Sequence, residues 1–254
     1  MERLKKGVAV VTGSSSGIGE AVSEALVQHG LTVVGLARRQ NKLQALSERL
    51  SADKKKYPGK FYPYKCDISI EKEIRDTFAS IKKNLGPISV LVNNAGVMVK
   101  DDIKLLEVSG YDFDVVFGTN VKGSLICTQE AIRSMEENDI EGHVITVNSL
   151  SGLPEHNNMT IFNLYSSAKN ALRVQSEAIR REISKYATKI KVTNIFPGGT
   201  KSEIMREFEL PEPIYDPHLE LLPTDVARYI ISILDTPPTV LVSELTIVPI
   251  IHHF

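Results

Sequence analysis

Tyr165 and Lys169 stand four residues apart in the stretch Tyr165-Ser166-Ser167-Ala168-Lys169. On a helix that spacing puts both side chains on one face, about one turn apart, so that an ammonium lies beside a phenol. A free tyrosine titrates near 10 and exchanges protons poorly at neutral pH, whereas a fixed neighbouring cation favours the phenolate and lowers that value. A fall from near 10 to about 7–8 corresponds to roughly 3–4 kcal/mol of differential interaction, within reach of a partly desolvated neighbour. Tyr165 would then pass a proton to or from a substrate oxygen. Taken alone, a Tyr-x-x-x-Lys pair is on most helices just an aromatic and a solvated lysine, so the elements around it must decide.

Those elements alternate strand and helix. The β-branched run Val8-Ala9-Val10-Val11 leads through Thr12-Gly13-Ser14-Ser15-Ser16-Gly17-Ile18-Gly19 into a helical pattern ending at His29-Gly30. A glycine turn between strand and helix presents backbone N–H groups and a helix N-terminus to an anion, which predicts a dinucleotide pyrophosphate site. The second strand, Leu31 to Ala37, ends in Arg38-Arg39 with no acid at its tip. At that place an acid would accept from a ribose 2′-hydroxyl and an arginine would take a 2′-phosphate, so the pattern predicts NADP(H), with Arg38 ahead of Arg39 as the phosphate contact.

A helix is expected over 41–50, a third strand over Lys60–Cys66, and a helix over Ile70–Leu85. Asp67, between the last two, suits either the adenine amino group or the N-cap of the following helix. A fourth strand over Pro87–Val92 stops at Asn93-Asn94-Ala95-Gly96, small residues that let backbone pass close to a flat ligand. One long helix is expected over Gly110–Glu137, carrying Asn120 among apolar neighbours as a satisfied core amide or part of a polar relay. The fifth strand, His143–Asn148, delivers Ser149 to the carboxyl edge of the sheet, where open parallel sheets bind ligands. A helix over Leu164–Ala187, a strand over Lys191–Phe196, a helix from Thr224 and a strand over Val240–Val248 complete the alternation. The segment 200–223, with apolar residues, acids and three internal prolines, reads as a lid over that edge.

Length and balance agree with this. A chain of 254 residues suits one large α/β domain, and 30 Lys+Arg against 31 Asp+Glu leave no global field for nucleic acid or an anionic membrane. The apolar run after Gly7 is too brief for a signal segment or a membrane span, and no later run is long enough. Cys66 and Cys127 have neither metal-ligand spacing nor the look of a disulfide framework, which suits a reducing compartment. The expectation is a cytoplasmic protein with no nucleic-acid partner, membrane insertion or metal.

Along its whole length the sequence resembles the short-chain dehydrogenase/reductase family. The motifs that carry the resemblance are Thr12-Gly-x-x-x-Gly17-x-Gly19, Asn93-Asn94-Ala95-Gly96, Asn120, Ser149, Tyr165-x-x-x-Lys169 and Pro197-Gly198, in that order. Cys66-Asp67, Ile126-Cys127-Thr128 and Ser149-Leu150-Ser151-Gly152 look most like the dehydrogenase/reductase member 11-like group, whose insect relatives include enzymes described as farnesol dehydrogenases. The implied architecture is α/β: a single Rossmann-type doubly wound domain, 1–254, with a seven-stranded, mainly parallel sheet and helices on both faces.

The resemblance implies Tyr165 as general acid/base, Ser149 as the hydrogen bond to the substrate oxygen, and Lys169 as the cation that lowers the tyrosine pKa and holds the nicotinamide ribose. Asn120 would position a water that continues the proton relay. Gly13, Ser15, Ser16, Gly17, Ile18 and Gly19 would line the diphosphate side, Asp67 and Ile68 the adenine, and Asn94, Ala95 and Gly96 the neighbouring ribose. Pro197, Gly198, Thr200 and Ser202 would meet the nicotinamide end, with Ser202 standing where the family commonly has threonine. The separation between Ser149 and Tyr165 is long for the family, so the loop Gly152 to Asn163 is expected to shape an individual pocket.

Leu150, Leu153, Met159, Gly199, Met205 and Phe208 favour an apolar substrate such as a terpenoid alcohol or a steroid, while His156 receives no catalytic role. The expected reaction is hydride transfer between NADP(H) and an alcohol/carbonyl pair. The competing classes are a non-catalytic NADP(H)-binding or sensing protein on the same fold, and an epimerase or dehydratase that recycles its cofactor. A homodimer or homotetramer through the helices at 110–137 and 164–187 is the family expectation.

Overall fold

The short β-branched runs become strands β1 (Val8–Thr12), β2 (Thr32–Ala37), β3 (Lys60–Lys65), β4 (Ile88–Asn93), β5 (Gly142–Val147), β6 (Ile190–Pro197) and β7 (Glu244–Ile247). In this computed structural model, which describes residues 1–99, 104–154, 163–186, 189–206 and 220–251, they form one sheet. Its order is β3-β2-β1-β4-β5-β6-β7, and every neighbouring pair is parallel. Parallel neighbours need crossovers, and helices supply them. These are α1 (Gly17–Gln28), α2 (Gln40–Ser51), α3 (Glu71–Leu85), α4 (Gly110–Phe117), α5 (Ser124–Glu137), α6 (Asn163–Ile183), α7 (Glu203–Arg206) and α8 (Pro223–Leu234).

Alternate residues of each strand face opposite sides, so the sheet carries two cores. Ala9 and Val11 lie in a cluster with Val22 and Leu26 of α1, Leu43 and Leu46 of α2, and Val226 and Ile230 of α8. Val8 and Val10 face the other way, onto Ile74, Phe78 and Ile81 of α3 and Cys127, Ala131 and Met135 of α5. The apolar stripes of these helices recur at three- and four-residue spacing, which is why they seat against a flat surface.

Three boundaries differ from the expectation. The single helix over 110–137 is divided, because a π-helical turn over Gly118–Gly123 separates α4 from α5. Asn120 sits in that turn with both ends of its amide bonded to the backbone of Val97, and extra residues in a helical turn are the usual way to re-aim such a side chain. The last strand is shorter than Val240–Val248, because the Lys191 ammonium takes the carbonyls of Pro237 and Val240 at 2.5 Å each and Thr193 donates to that of Val242. Those carbonyls are bound to side chains of β6, so ladder pairing starts only beyond them. α6 ends at Ile183, short of Ala187, which lies outside the described residues along with Thr188.

Of the segment 200–223, residues 207–219 lie outside the described residues. Its two ends meet: Lys201 donates to the Leu221 carbonyl at 2.9 Å, and Leu221 donates to that of Gly199 at 2.9 Å.

The foot of the sheet carries a buried titratable group. His143 is fully buried, with Nε2 2.8 Å from the Thr193 hydroxyl and Nδ1 without a partner among the described residues. Burial, then the charges of Lys191 and Arg3, push its pKa down to about 3. The folded protein therefore keeps the ring neutral, while the unfolded chain takes up a proton below about 6.5. Stability should fall as pH drops below 6.5, and this contribution is exhausted near 3. Thermal melts between pH 7 and 4 should show a shallower acid decline for His143→Gln than for the wild type. Equal slopes would remove His143 as the cause.

Candidate functional site

The strand order reverses between β1 and β4, and the loops leaving their carboxyl ends meet at the place where open parallel sheets bind ligands. The glycine turn is stitched to the β4 loop there. Asn94 Nδ2 donates to the carbonyls of Thr12 (3.0 Å) and Gly13 (3.3 Å), and the Thr12 hydroxyl accepts from the backbone N–H groups of Asn94 and Ala95, each at 3.0 Å. Gly13 has φ +70°, open to glycine at little cost. At Gly19 a Cβ would lie 2.3 Å from the Gly13 carbonyl, so only glycine lets α1 start this close to the strand. Gly17 opens α1, whose N-terminal N–H groups and dipole favour an anion. Ser14 is structural: it is buried, donates to the Val11 carbonyl at 2.7 Å and accepts from Ser23 at 3.1 Å.

Ser149, Tyr165 and Lys169 converge at the end of β5. Asn148 Oδ1 holds the Ser149 N–H at 3.0 Å, and Ser149 then starts a single 3-10 turn, Leu150–Gly152. Its hydroxyl accepts from the Ser151 N–H at 3.2 Å and is hydrogen-bonded to the Tyr165 phenol. Lys169 lies one turn along α6 from Tyr165, only 4 % exposed, with Nζ donating to the Val147 carbonyl at 2.9 Å and standing 5.5 Å from the tyrosine ring centroid. Gly96 faces Asn120 and Lys169: a Cβ there would lie 3.5 Å from Asn120 Oδ1 and 3.9 Å from Lys169 Nζ. Asn120 is 1 % exposed, its Oδ1 accepting from Val97 N at 2.8 Å and its Nδ2 donating to Val97 O at 2.9 Å. The amide is thereby satisfied and ties the π-helical turn to the β4 loop.

The electrostatics correct one expectation. The tyrosine pKa is not lowered overall in this arrangement: burial pushes the phenol up to about 12, against a smaller lowering by the Ser149 hydrogen bond. Burial pushes Lys169 down to about 8. Desolvation disfavours the charged form of each group, which raises the phenol and lowers the ammonium. The resting phenol is consequently protonated and bonded to Ser149.

A second correction concerns the arginines. Arg38 is exposed and has no ion-pair partner among the described residues, whereas Arg39 turns back to the glycine turn. Its Nε and Nη2 donate to Ser15 Oγ at 3.1 and 2.8 Å, and Nη2 also donates to Ser16 Oγ at 2.7 Å. Ala37 points into the core at the end of β2, and the chain bends at Arg39 to enter α2, which returns this side chain toward α1. Arg39 thus faces the glycine turn.

The remaining candidates divide. Asp67 makes an Asx turn, its Oδ1 accepting from the N–H and hydroxyl of Ser69 at 2.9 and 2.8 Å; Ile70, not Asp67, precedes α3 as its N-cap. Ile68 is buried in the second core and Ile18 packs on the first. Pro197 ends β6, Gly198 donates to the Ile247 carbonyl at 2.8 Å, and the Thr200 hydroxyl donates to the Gly198 carbonyl at 2.9 Å. Ser202 lies opposite Gly17, within 3.3 Å of where a Cβ would stand, so the β6 loop does reach the glycine turn. Gly199 borders open space. Leu150 and Leu153 are buried with Phe196 and Val248, a small core patch at the sheet edge. Met159, Phe208 and His156 lie outside the described residues, and of Met205 only the backbone, in α7, is described.

Four contributors escaped the sequence reading: the Thr12 hydroxyl, the Val147 carbonyl, Lys42 and Glu203. Lys42 was within reach, since it stands three residues after Arg39 at the start of a helix and so shares its face. A backbone carbonyl leaves no trace in residue type.

The family model described as short chain dehydrogenase matches residues 7–212. The farnesol dehydrogenase of Aedes aegypti is 38% identical over 260 residues, covering all of both chains. Human dehydrogenase/reductase SDR family member 11 is 35% identical over 98% of this chain and 96% of its own. Among solved structures, the closed form of a serine dehydrogenase complexed with NADP+ superposes with a TM-score of 0.84 at 26% identity, over 97% of this chain and 96% of its own.

Proposed function

Since the chain belongs to the short-chain dehydrogenase family, we propose that it is an NADP(H)-dependent oxidoreductase interconverting an alcohol and its aldehyde or ketone. The observation that carries this reading is the convergence of Ser149, Tyr165 and Lys169 at the carboxyl edge of the sheet, beside the β4 loop that is stitched to the glycine turn. The residues present suit the cofactor. The glycine turn and the N-terminus of α1 offer N–H groups to a diphosphate, and Arg39 with Ser15, Ser16 and Lys42 forms a donor set of the kind that holds a further phosphate.

When bound, the nicotinamide supplies or accepts the hydride, and the protein supplies orientation and the proton. Tyr165, protonated at rest, donates its proton to the substrate oxygen as a carbonyl is reduced, and takes it back when an alcohol is oxidised. Ser149, already bonded to that phenol, offers its hydroxyl to the same oxygen and stabilises the charge that develops there. Lys169 stabilises the phenolate once the proton has left.

The substrate is an apolar alcohol or carbonyl, and the farnesol dehydrogenase relative makes terpenoid alcohols the first class to try, with steroids next. The test is formation of NADPH from NADP with a panel of apolar alcohols that includes farnesol and hydroxysteroids, beside the same panel with NAD. Turnover with NADP well above that with NAD is expected. Tight NADPH binding with no turnover of any alcohol or matching carbonyl would instead indicate a binding protein on this fold.

A further inference from the structure

The basic corner beside the glycine turn already holds an anion, and that anion belongs to the chain itself. Glu203, the first residue of α7, accepts from Arg39 Nη1 at 2.6 Å through Oε2 and from Lys42 Nζ at 2.5 Å through Oε1. The Ser16 hydroxyl bonds the same carboxylate, and the Lys42 hydrogen bond leads the influences that hold its pKa down to about 2. Arg39 is meanwhile steadied from behind by the Ser15 and Ser16 hydroxyls. Two cations, from the N-cap and first turn of α2, and one hydroxyl, from the glycine turn, thus converge on one carboxylate, which reaches the cations across 164 and 161 residues of chain.

This is the corner that the functional reading assigns to a phosphate on the adenosine ribose, so one site has two candidate anions. Both cannot make the same contacts at once. The side chains of Arg39, Lys42 and Glu203 are 43 %, 42 % and 38 % exposed, so these ion pairs are screened by solvent and exchange readily with an anion from solution. A phosphate monoester carries about −1.5 to −2 charge and three acceptor oxygens, against one charge on Glu203, and forms the stronger charge-assisted bonds with Arg39. The carboxylate has the advantage of being tethered, which gives it an effective concentration on the order of millimolar.

We propose that Glu203 is an internal competitor for the 2′-phosphate of NADP(H): its carboxylate fills the site of Ser15, Ser16, Arg39 and Lys42, and the entering phosphate displaces it and releases α7 from α2. The inference rests on the NADP(H) reading and adds to it a residue that sets cofactor affinity without touching the cofactor. A cofactor without the 2′-phosphate leaves the Glu203 ion pairs intact. Selectivity at this corner is therefore the affinity of the cradle for phosphate divided by its affinity for its own glutamate.

Calorimetric titration with 2′,5′-ADP and with 5′-ADP isolates the phosphate from catalysis and from the nicotinamide. Glu203→Gln and Glu203→Ala should each tighten 2′,5′-ADP binding by about three- to tenfold, the gain expected from freeing two screened ion pairs, while 5′-ADP changes by less than about twofold. If the wild type prefers 2′,5′-ADP but the variants bind it no more tightly, or more weakly, the competitor role is overturned and Glu203 is an organiser of the cations or a bystander. Should the wild type bind the two ligands equally, the NADP(H) reading itself fails, and the competitor role with it.

Discussion

Tyr165→Phe is expected to lower turnover by about 10²–10⁴-fold in both directions, the range that a positioned proton donor contributes. The substitution removes one hydroxyl and keeps the ring, so α6 and the Lys169 contact with Val147 should survive. NADPH affinity should change by less than about threefold, because the phosphate-binding corner lies on other elements. The chain has no tryptophan, which makes the fluorescence of bound NADPH a clean binding signal. Turnover retained within about tenfold of wild type would deny Tyr165 the role of proton donor.

The pH profile carries the same chemistry. With the phenol up at about 12 and Lys169 down at about 8, Lys169 loses its proton first, near 8, while the phenol stays protonated. Carbonyl reduction uses the protonated phenol with the Lys169 ammonium beside it, so it should hold its rate below this point and decline above it as that charge is lost. Alcohol oxidation needs an unprotonated base and should rise through the same region. The two directions should therefore have opposite slopes between about pH 7 and 9, measured as kcat/KM.

Lys169→Met is the second large expected effect, and here activity and stability separate. Turnover should fall by about 10²-fold or more, because the phenolate loses the only buried cation beside it among the described residues. Stability should hold or rise. A lysine that titrates at about 8 when folded and 10.5 when free is held in its charged form at neutral pH at a cost on the order of 3 kcal/mol. For the wild type, that penalty is fully present below about pH 8 and is relieved as pH rises toward 10.5, so this group makes stability increase across that window. Methionine fills a similar volume without charge, and the remaining loss is one hydrogen bond to the Val147 carbonyl. Paired measurements of kcat and Tm at pH 7 decide the matter. A Tm lowered in step with kcat would mean that Lys169 is simply structural.

Much of the fold was legible because its signals are local. The apolar runs at 8–11, 31–37 and 87–92 lie in or overlap β1, β2 and β4, and the glycine turn predicted after the first of them leads into α1. Strand order could not be read residue by residue; parallel crossovers only restrict it to few arrangements. The failures have equally definite causes. The helix over 110–137 has continuous helical periodicity, and the π-helical turn within it carries Asn120, whose amide bonds Val97 across 23 residues. The strand expected over 240–248 has the right composition, yet its first carbonyls are captured by Lys191 and Thr193 from the neighbouring strand.

At the site, the amino-acid sequence by itself determined which groups are available and their local spacing: a phenol and an ammonium one helical turn apart, a serine at the end of a strand, and glycines where backbone must turn tightly. Periodicity and turn chemistry act over a few residues, so they survive in a one-dimensional reading. Only the tertiary structure decided that the phenol is protonated, that Arg39 and not Arg38 faces the glycine turn, and that Glu203 occupies the cradle Arg39 helps to form. Each of these depends on desolvation or on partners 16, 24 and 164 residues distant, and neither burial nor a distant partner is encoded in the neighbours of the residue it governs.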